Sequence, residues 1–179
     1  MSEITIRQLK SDDFAILRDI RLEALQLHPE AYSSAYEDWV KFSEADWRAK
    51  LNAPVFAAFD GKKAVGLIGL WPQDGARTSH RAIVVMVYVK SEMRGRNIGQ
   101  KLMRAVEVYA RDNGFSQLEL SVLAENKSAL QLYLREGYTE FGRRPNWISL
   151  NGEMYDEVMM VRPVILKAVS VNVESLKPL

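Results

Sequence analysis

The pattern of apolar and polar residues predicts a chain that mixes strands and helices. Residues 3–9 alternate apolar with polar side chains, as a strand with one buried face does. From Phe14 onward, apolar residues recur at helical spacing until Pro29, so this segment is predicted to be an amphipathic helix. A second helix is predicted to begin at the capping sequence 43–46 (SEAD) and to end near Leu51.

The middle of the chain contains its most apolar segment. Val55–Phe59 and Ala64–Trp71 flank the turn sequence Asp60-Gly61, which predicts a hairpin. Residues 82–89 (AIVVMVYV) form a nearly unbroken apolar run, which is typical of a buried central strand. An amphipathic helix is predicted next, because the following apolar residues recur at helical spacing: Ile98, Leu102, Ala105, Val106 and Tyr109.

The last part of the chain is predicted to contain a strand, a helix and a hairpin. In order, these are a strand over 118–122, a helix from Asn126 to about Glu136, and strands 138–144 and 154–161 joined by 145–152. Gly137 follows the helix and is expected to end it, since glycine adopts the left-handed conformation that closes many helices. The predicted order of elements is therefore β-α-α-β-β-β-α-β-α-β-β.

Composition limits the classes of function that are open to the chain. Its 179 residues suit one domain with its own core. The 24 basic and 23 acidic residues nearly balance, so we expect neither a nucleic-acid surface nor a membrane surface. The sequence has no cysteine and only two histidines, which excludes disulfides, thiolate chemistry and a histidine-rich metal site. Without an apolar signal segment or a membrane-spanning run, a cytoplasmic protein is expected.

Between the central strand and the next helix lies a short turn with two arginines and two glycines, residues 90–99. A helix that begins in such a turn leaves several backbone N–H groups unpaired, and they point toward the same place as the positive end of the helix dipole. Together they can hold a phosphate, and arginine adds charge and forked hydrogen bonding. We interpret the turn as a pyrophosphate site; the alternative is a solvated loop with tight-turn glycines.

A second group of residues makes the first more specific. Asn126 lies seven residues before Tyr133, and Gly137-Tyr138 follows that helix. With Val87-Tyr88-Val89 and the sequence from Arg94 to Gly99, this pattern resembles the GCN5-related N-acetyltransferases (GNAT family) over roughly residues 3–162. Asn97 departs from the family pattern, which usually has a glycine there. Asparagine tolerates a positive φ, so the turn is expected to keep its shape.

The resemblance implies an α+β fold and a domain boundary. The expected domain, residues 1–162, contains a mixed, mostly antiparallel sheet of about six or seven strands, flanked by about four helices. The sheet is expected to splay between strands 4 and 5. Residues 163–179 are an apolar extension that would pack on the domain or on a second subunit, so a homodimer is left open.

The resemblance also implies acetyl-CoA as co-substrate and no metal. Amides of the turn would hold the pyrophosphate, and the backbone of the central strand would bind the pantetheine and polarise the thioester carbonyl. Tyr133 is the candidate general acid for the departing thiolate, since a phenol is protonated at neutral pH; the alternative for this side chain is core packing. The residues implied to bind acetyl-CoA are Val87, Val89, Arg94, Gly95, Arg96, Asn97, Ile98, Gly99, Gln100 and Asn126.

The general base and the acceptor site are less defined. Candidates for the base are Glu23, Glu37 and Asp38, although the simpler interpretation of each is a solvated surface charge. A water chain to bulk solvent would serve equally well for an amine that is partly neutral, so no residue is assigned as the base. Residues 32–39, which lack clear periodicity, fit either a wall over a cleft or a packed connection. By family resemblance, the segments that would contact the acceptor are 32–39, the loop near Trp71, and the last hairpin with Trp147, Tyr155 and the acidic pair 156–157.

The sequence therefore predicts an N-acetyltransferase that moves an acetyl group from acetyl-CoA directly to a primary amine of a small molecule or protein. The alternative is a non-catalytic acyl-CoA-binding sensor or scaffold. Both would need the turn from Arg94 to Gly99, but only the enzyme needs Tyr133. A nucleic-acid contact at the turn is disfavoured by the balanced net charge.

Overall fold

A single mixed sheet organises the molecule. The structure is a computed structural model and describes residues 3–166, in which seven strands follow the order β1-β2-β3-β4-β5-β7-β6. The strands are β1 (Ile4–Gln8), β2 (Val55–Asp60), β3 (Lys63–Pro72), β4 (Arg81–Val89), β5 (Gln117–Leu123), β6 (Thr139–Leu150) and β7 (Glu153–Pro163). All neighbouring strands are antiparallel except β4 and β5. The predicted α+β class, the strand number and the mixed sheet are confirmed.

In the described part of the chain, five α-helices accompany the sheet, against about four predicted. They are α1 (Phe14–Leu27), α2 (Tyr36–Trp39), α3 (Glu44–Lys50), α4 (Ile98–Asp112) and α5 (Lys127–Arg135). The additional helix, α2, is one turn long and lies in the segment whose periodicity was ambiguous. No helix within residues 3–166 is long and apolar enough to cross a membrane.

Alternation along β2 divides the core between the two faces of the sheet. Phe56 and Ala58 pack on one face with the apolar stripe of α4, which includes Leu102 and Val106. The intervening residues of β2 pack on the other face against α1 and α3, where Trp47 is fully buried. Because successive strand residues point to opposite faces, a fully apolar strand such as β2 is what a sheet covered on both sides requires.

Two local predictions about helix ends are confirmed by the backbone. The Ser43 hydroxyl accepts the N–H of Asp46, whose carboxylate accepts the N–H of Ser43, so α3 begins with the predicted capping box. Gly137 has φ +83° directly after α5 and ends that helix, as expected.

The sheet opens between β4 and β5, as predicted. These strands pair in parallel only over Arg81–Ile83 with Gln117–Glu119, within the described part of the chain. Beyond Ile83, β4 continues for six more residues beside β3, whereas β5 continues beside β7. The backbone of β4 that faces the opening therefore has no β5 partner among residues 84–89, which leaves strand edge available to a ligand.

A bulge that the sequence did not reveal lies within this open part of β4. Met86 has φ +57°, a left-handed conformation that side chains other than Asn, Asp and Gly rarely adopt. The pairing register with β3 shifts at the same level, between Leu67 and Gly69. A Cβ on Gly69 would lie 2.6 Å from Cε of Met86, so the bulged side chain packs closely against the backbone of β3 at this glycine.

The last hairpin differs from the prediction. Residues 145–152 were predicted to be a long connection, but β6 continues to Leu150 and only the tight turn Asn151-Gly152 joins it to β7. The register shifts between Arg144 and Ile148, and the N–H of Asn146 donates to the Asp156 carboxylate across this bulge. The prediction failed because proline is tolerated in an edge strand, where its missing N–H removes no ladder bond.

The C-terminal extension is described only in its first residues. Val164 is buried, and its N–H donates to the carbonyl of Ser116 at 2.8 Å, so the chain still packs on the domain at this point. The predicted packing of the rest of the extension concerns residues 167–179, which lie outside the described residues.

Candidate active site

Two cavities meet where β4 and β5 separate. The first, with a volume of about 860 Å³, lies beside the turn that precedes α4, and we call it the glycine-turn cavity. The second, about 800 Å³, is lined by the side chains of Tyr32, Trp39, Trp71 and Trp147, and we call it the aromatic cavity. Each is large enough for a ligand the size of a small organic molecule or of part of a cofactor.

The glycine-turn cavity contains most of the residues that were predicted to bind a cofactor. These are Val87, Val89, Arg94, Gly95, Asn97, Ile98, Gly99, Gln100 and Asn126. In the turn itself, Gly95 has φ +77° and Asn97 has φ +57°, so asparagine adopts the positive φ that was expected of it. The chain then enters α4 with the first amides of the helix at the cavity wall, where the dipole favours an anion.

The two arginines of the turn have different surroundings. Arg94 lines the cavity, with Nη2 3.1 Å from Nε2 of His28. Arg96 is not among the described residues that line it; its Nη1 instead donates to Asp60 at 3.4 Å. The placement of Arg94 supports its predicted role in phosphate binding, whereas Arg96 binds elsewhere in this structure.

The helices α4 and α5 form the wall of the cavity at close approach. A Cβ on Gly99 would lie 3.0 Å from Cδ2 of Leu132, so glycine allows these helices to pack closely. At the start of α5, the Asn126 side chain accepts the N–H of Ala129 and the hydroxyl of Ser128, each at 3.1 Å. Asn126 therefore caps the helix and lines the cavity at the same time.

Tyr133 lies in the core behind the predicted site rather than on its surface. Its side chain is buried and its ring centroid is 6.1 Å from that of Tyr138. Among the described residues that line the two cavities, Tyr133 does not occur. Burial, with a smaller contribution from the phenol of Tyr32, raises the pKa of Tyr133. The hydroxyl therefore stays protonated across the physiological range, while its role as general acid stays a prediction.

The wall between the cavities is formed by residues that line both of them: Ala31, Tyr32 and Leu123. The hydroxyl of Tyr32 donates to the carbonyl oxygen of Val87 at 2.9 Å, which ties the segment after α1 to the open part of β4. Burial raises the pKa of Tyr32 to about 12, so this donor is present at any ordinary pH. Along β4, residues 83–86 line the aromatic cavity and residues 87–89 the glycine-turn cavity, so the bulge at Met86 marks the boundary.

The aromatic cavity combines aromatic rings with charged groups. Its charged lining residues are Arg21, Lys50, Arg144 and Glu157. Arg144 donates to Glu157 at 2.7 Å and stacks on Trp147, with its guanidinium carbon 4.6 Å from the ring centroid. Three of the segments predicted to contact an acceptor (residues 32–39, the loop near Trp71, and the last hairpin) therefore meet here, although Tyr155 lines the other cavity.

Arg21 is the most unusual group of the aromatic cavity. It is 3% exposed, and its guanidinium carbon lies 4.5 Å from the ring centroid of Tyr32 and 4.7 Å from that of Trp39. Its Nε and Nη1 atoms are buried and have no hydrogen-bond partner within residues 3–166. Burial lowers the pKa of Arg21 to about 10, which still leaves the group positively charged at neutral pH.

The three carboxylates considered as general bases do not line either cavity. Glu23 accepts from the Tyr88 hydroxyl at 2.9 Å and pairs with Lys90. Glu37 and Asp38 lie on the exposed side of α2. Among the described acidic residues, Glu157 lines the aromatic cavity, but its carboxylate is already paired with Arg144.

Sequence reasoning missed three contributors to the site. Arg21 occupies the apolar stripe of α1 between Ile20 and Ala24, and a charged residue at such a position is a signal that could have identified it. Gly69, inside an otherwise apolar strand, is the corresponding signal for a close approach. Met86 carries no signal, because nothing in its residue type distinguishes a bulged position from a regular one.

The chain is similar to known acetyltransferases. The family model described as "Acetyltransferase (GNAT) family" matches residues 17–138. A thialysine N-epsilon-acetyltransferase from Bos taurus is 43% identical over 61 residues, which cover 34% of this chain and 36% of that protein. The L-amino acid N-acetyltransferase AaaT of Escherichia coli K12 is 28% identical over 169 residues, which cover 90% of this chain and 99% of that protein. Among solved structures, yncA from Salmonella typhimurium with its cofactor acetyl-CoA superposes with a TM-score of 0.77 at 20% identity, covering 94% and 98% of the two chains.

Proposed function

The chain belongs to the GNAT family of acetyltransferases, and we propose that it transfers the acetyl group of acetyl-CoA directly to a primary amine. The family model matches 17–138, which includes most of α1, the open part of β4, the glycine turn and α5. The family assignment predicted from the sequence is confirmed. The chain spans little more than a third of the length of the bovine relative, so the activity is inferred from the site.

The glycine-turn cavity fits the chemistry of coenzyme A. A pyrophosphate requires several N–H donors and positive charge, which the start of α4 and Arg94 supply. A pantetheine arm carries amide groups, which the unpaired edge of β4 and the side chain of Asn126 can bind. When bound, acetyl-CoA supplies the activated acetyl group; the residues named here hold and orient it.

The observation that carries the proposal is that two cavities share Tyr32 and Leu123 at the splay. A thioester bound along Val87–Val89 and an amine held in the aromatic cavity would meet at this shared wall. Direct transfer requires such proximity, because holding two reactants in one place supplies much of the rate acceleration. A backbone N–H of β4 near the bulge would stabilise the oxyanion that forms on the thioester carbonyl.

Proton transfers complete the reaction. The attacking amine forms the new amide bond and loses a proton, for which solvent in the open cavities is the simplest acceptor. The carbon–sulfur bond breaks and the thiolate needs a proton, which we assign to Tyr133. Burial raises the pKa of Tyr133, so the phenol carries its proton at neutral pH, although the same shift makes it a weaker acid.

For the acceptor, the proposal favours a small molecule. The aromatic cavity of about 800 Å³ is lined by side chains from α1 through β7, so it can surround a compact ligand. The names of the bovine and Escherichia coli relatives also refer to small amines. An amine on a protein, a homodimeric assembly, a cytoplasmic location and the absence of nucleic-acid partners stay predictions.

Thermal unfolding with and without ligands tests the cofactor part of the proposal. Acetyl-CoA or desulfo-CoA at 100 times its dissociation constant should raise Tm by roughly 5 to 10 °C, whereas ATP should have little effect. Thiol release from acetyl-CoA in the presence of a panel of primary amines then tests catalysis. Stabilisation by CoA without thiol release for any amine would favour the non-catalytic acyl-CoA-binding module. No stabilisation by either CoA compound would contradict both readings.

A further inference from the structure

The guanidinium of Arg21 is a buried cation without an anionic partner in the described structure. Its Nε and Nη1 atoms are buried without a hydrogen-bond partner, and the residue is 97% removed from solvent. Unpaired charges are rarely left inside proteins, because removing an ion from water is costly unless a counter-charge replaces the lost solvation. An orphaned arginine in the wall of a cavity therefore points to a ligand that supplies the missing acceptor atoms.

The aromatic rings fix the guanidinium in one orientation. Tyr32 and Trp39 each contact it, with the guanidinium carbon 4.5 and 4.7 Å from the two ring centroids. Cation–π contacts hold the planar group but satisfy none of its N–H donors. Its forked donors match the two oxygens of a carboxylate.

The charge of the cavity favours an anion. Among residues 3–166, its charged lining consists of three cations (Arg21, Lys50 and Arg144) and one carboxylate (Glu157). Since Arg144 and Glu157 neutralise each other, two positive groups remain to attract a ligand. Of these, Lys50 lies over the rings of Trp39 and Phe42, which leaves Arg21 as the buried group with unsatisfied donors.

A single side chain connects Arg21 with the reaction centre. Tyr32 stacks on the guanidinium through its ring and reaches the carbonyl of Val87 through its hydroxyl at 2.9 Å. A ligand whose anionic end binds Arg21 therefore lies beside the side chain that contacts the open part of β4. An acceptor that carries both a carboxylate and an amine can bind Arg21 through the first and present the second toward β4.

We propose that Arg21 is the carboxylate-binding residue of the acceptor site, and that the acceptor is an amino acid rather than a simple amine. The inference rests on the proposed function, because it names the acceptor of the same site. The thiol-release experiment above requires only that the acceptor has an amine. This inference requires that the acceptor carries a carboxylate as well as an amine.

The test compares acceptors that differ in that carboxylate. Each common L-amino acid is measured beside its amide and its decarboxylated amine, for example phenylalanine, phenylalaninamide and 2-phenylethylamine. The amino acid should have a kcat/KM roughly 10- to 100-fold above that of its amine, because a charge-assisted hydrogen bond is lost in the latter. The amide carries a more acidic ammonium group, so it has more neutral amine at pH 7, and a preference for the amino acid is not explained by amine basicity.

Variants of Arg21 test whether this residue causes the preference for the amino acid over the amine. Arg21→Met should reduce the ratio of amino acid to amine to near one, mainly through KM, and Arg21→Lys should give an intermediate ratio because it keeps the charge without the fork. Arg18→Met, on the exposed side of the same helix, is the matched control and should keep the wild-type ratio. If Arg21→Met does not fold, the ratio of amino acid to amine in Arg21→Lys, compared with that of the wild type, tests the inference instead.

Two outcomes would overturn the inference. One is equal or better use of amines without a carboxylate by the wild-type enzyme; the other is a wild-type ratio in folded Arg21→Met.

Calorimetric binding of the amino acids themselves, in the presence of desulfo-CoA, tests the carboxylate site even when no acetyl transfer is detected. Binding that is lost in Arg21→Met supports the inference, and absence of binding to the wild type contradicts it. A failure of the proposed function is distinguishable, because it would appear as missing stabilisation by CoA and missing thiol release with every amine.

Discussion

The two cavities at the splay are built in different ways. The glycine-turn cavity is formed mainly by two continuous stretches, residues 87–100 and 123–135, which contain the ends of β4 and β5 and the starts of α4 and α5. The aromatic cavity takes its lining from α1, α2, α3, β3, β4, β5, β6 and β7. Local sequence therefore encodes the first, whereas the second exists only after distant segments have come together.

This difference has a physical basis in what each site must bind. A pyrophosphate is recognised by amides and a dipole that any chain provides when it enters a helix with a suitable turn. An acceptor is recognised by shape and by a few placed charges, which can come from anywhere in the fold. We therefore expect substitutions in the first site to act through backbone geometry, and substitutions in the second to act through the identity of a side chain.

The largest expected effect concerns Tyr133, which lines neither cavity and lies in the core. Tyr133→Phe should lower kcat by roughly 10²- to 10⁴-fold, the usual contribution of a general acid, with little change in affinity for desulfo-CoA. Because burial raises the pKa of this phenol, the group should keep its proton, and no loss of kcat from its ionisation is expected up to about pH 10. Single-turnover kinetics against pH provide the measurement.

Tyr138→Phe is the matched control for that prediction. Tyr138 is also buried, and its ring lies 6.1 Å from that of Tyr133. Its hydroxyl has no assigned role in catalysis, so kcat should stay near the wild-type value. An equal loss in both variants would mean that Tyr133 acts through packing rather than as an acid.

A substitution at Gly99 tests the role of backbone geometry in the glycine-turn cavity. Gly99→Val should raise the dissociation constant for desulfo-CoA by roughly 10- to 100-fold, because a Cβ would lie 3.0 Å from Cδ2 of Leu132 and force α4 away from α5. Isothermal titration calorimetry measures the affinity. Leu132→Ala removes the obstructing atoms, so Gly99→Val combined with Leu132→Ala should recover part of the loss. An unchanged affinity in folded Gly99→Val would show that the phosphate site lies elsewhere.

Arg21 allows the opposite experiment, in which a binding group is removed and stability is expected to rise. Its pKa of about 10 lies well below the usual value for a guanidinium, which corresponds to a destabilisation on the order of 3 kcal/mol at neutral pH. Arg21→Met should therefore leave the free energy of unfolding unchanged or raise it, as measured by urea denaturation at pH 7.

The pH dependence of this difference has a definite sign. The unfolded chain binds the Arg21 proton more tightly than the folded chain, so the destabilisation is complete below about pH 10 and diminishes above it. The stability difference between wild type and Arg21→Met should thus be constant from pH 6 to 9. A large loss of stability in Arg21→Met would instead identify Arg21 as a structural residue.

The smallest effect is expected at Asn97. Because Asn97 already adopts φ +57°, Asn97→Gly should change the affinity for desulfo-CoA by less than about threefold. Asn97→Ala is the informative partner, since alanine in the left-handed conformation costs about 1 kcal/mol and should lower stability by that amount. Thermal and urea unfolding of the two variants measure the difference. Equal stability of the two would mean that the turn can change its backbone conformation.

Much of the fold followed from local patterns. The hairpin around Gly61, the helix of residues 98–112 and the stop at Gly137 were predicted because each depends on residues next to one another in sequence. The final hairpin was predicted wrongly around Pro145, since only the position of β6 at the edge of the sheet makes a proline acceptable there. Edge position is a property of the assembled sheet.

The candidate site likewise has parts that follow from local sequence and parts that depend on the assembled sheet. The turn from Arg94 to Gly99 could be identified from its sequence, because its function depends on a strand, two glycines and a helix in succession. The surroundings of Arg96 could not be predicted from the sequence, since its partner Asp60 comes from β2. The bulged side chain of Met86 likewise packs beside Gly69 of the neighbouring strand, and a single strand gives no indication of the bulge.

By itself, the sequence determined the family, the order of the elements apart from α2, and the turn that we propose binds phosphate, because these depend on periodicity and on contiguous motifs. Only the tertiary structure decided which charges line the cavities. It buried Arg21 between two aromatic rings without a counter-charge from residues 3–166, and it placed Tyr32 between two cavities. The physical reason is that the free energy of a charge depends on the solvent and partners around it, which residues far apart in sequence together provide.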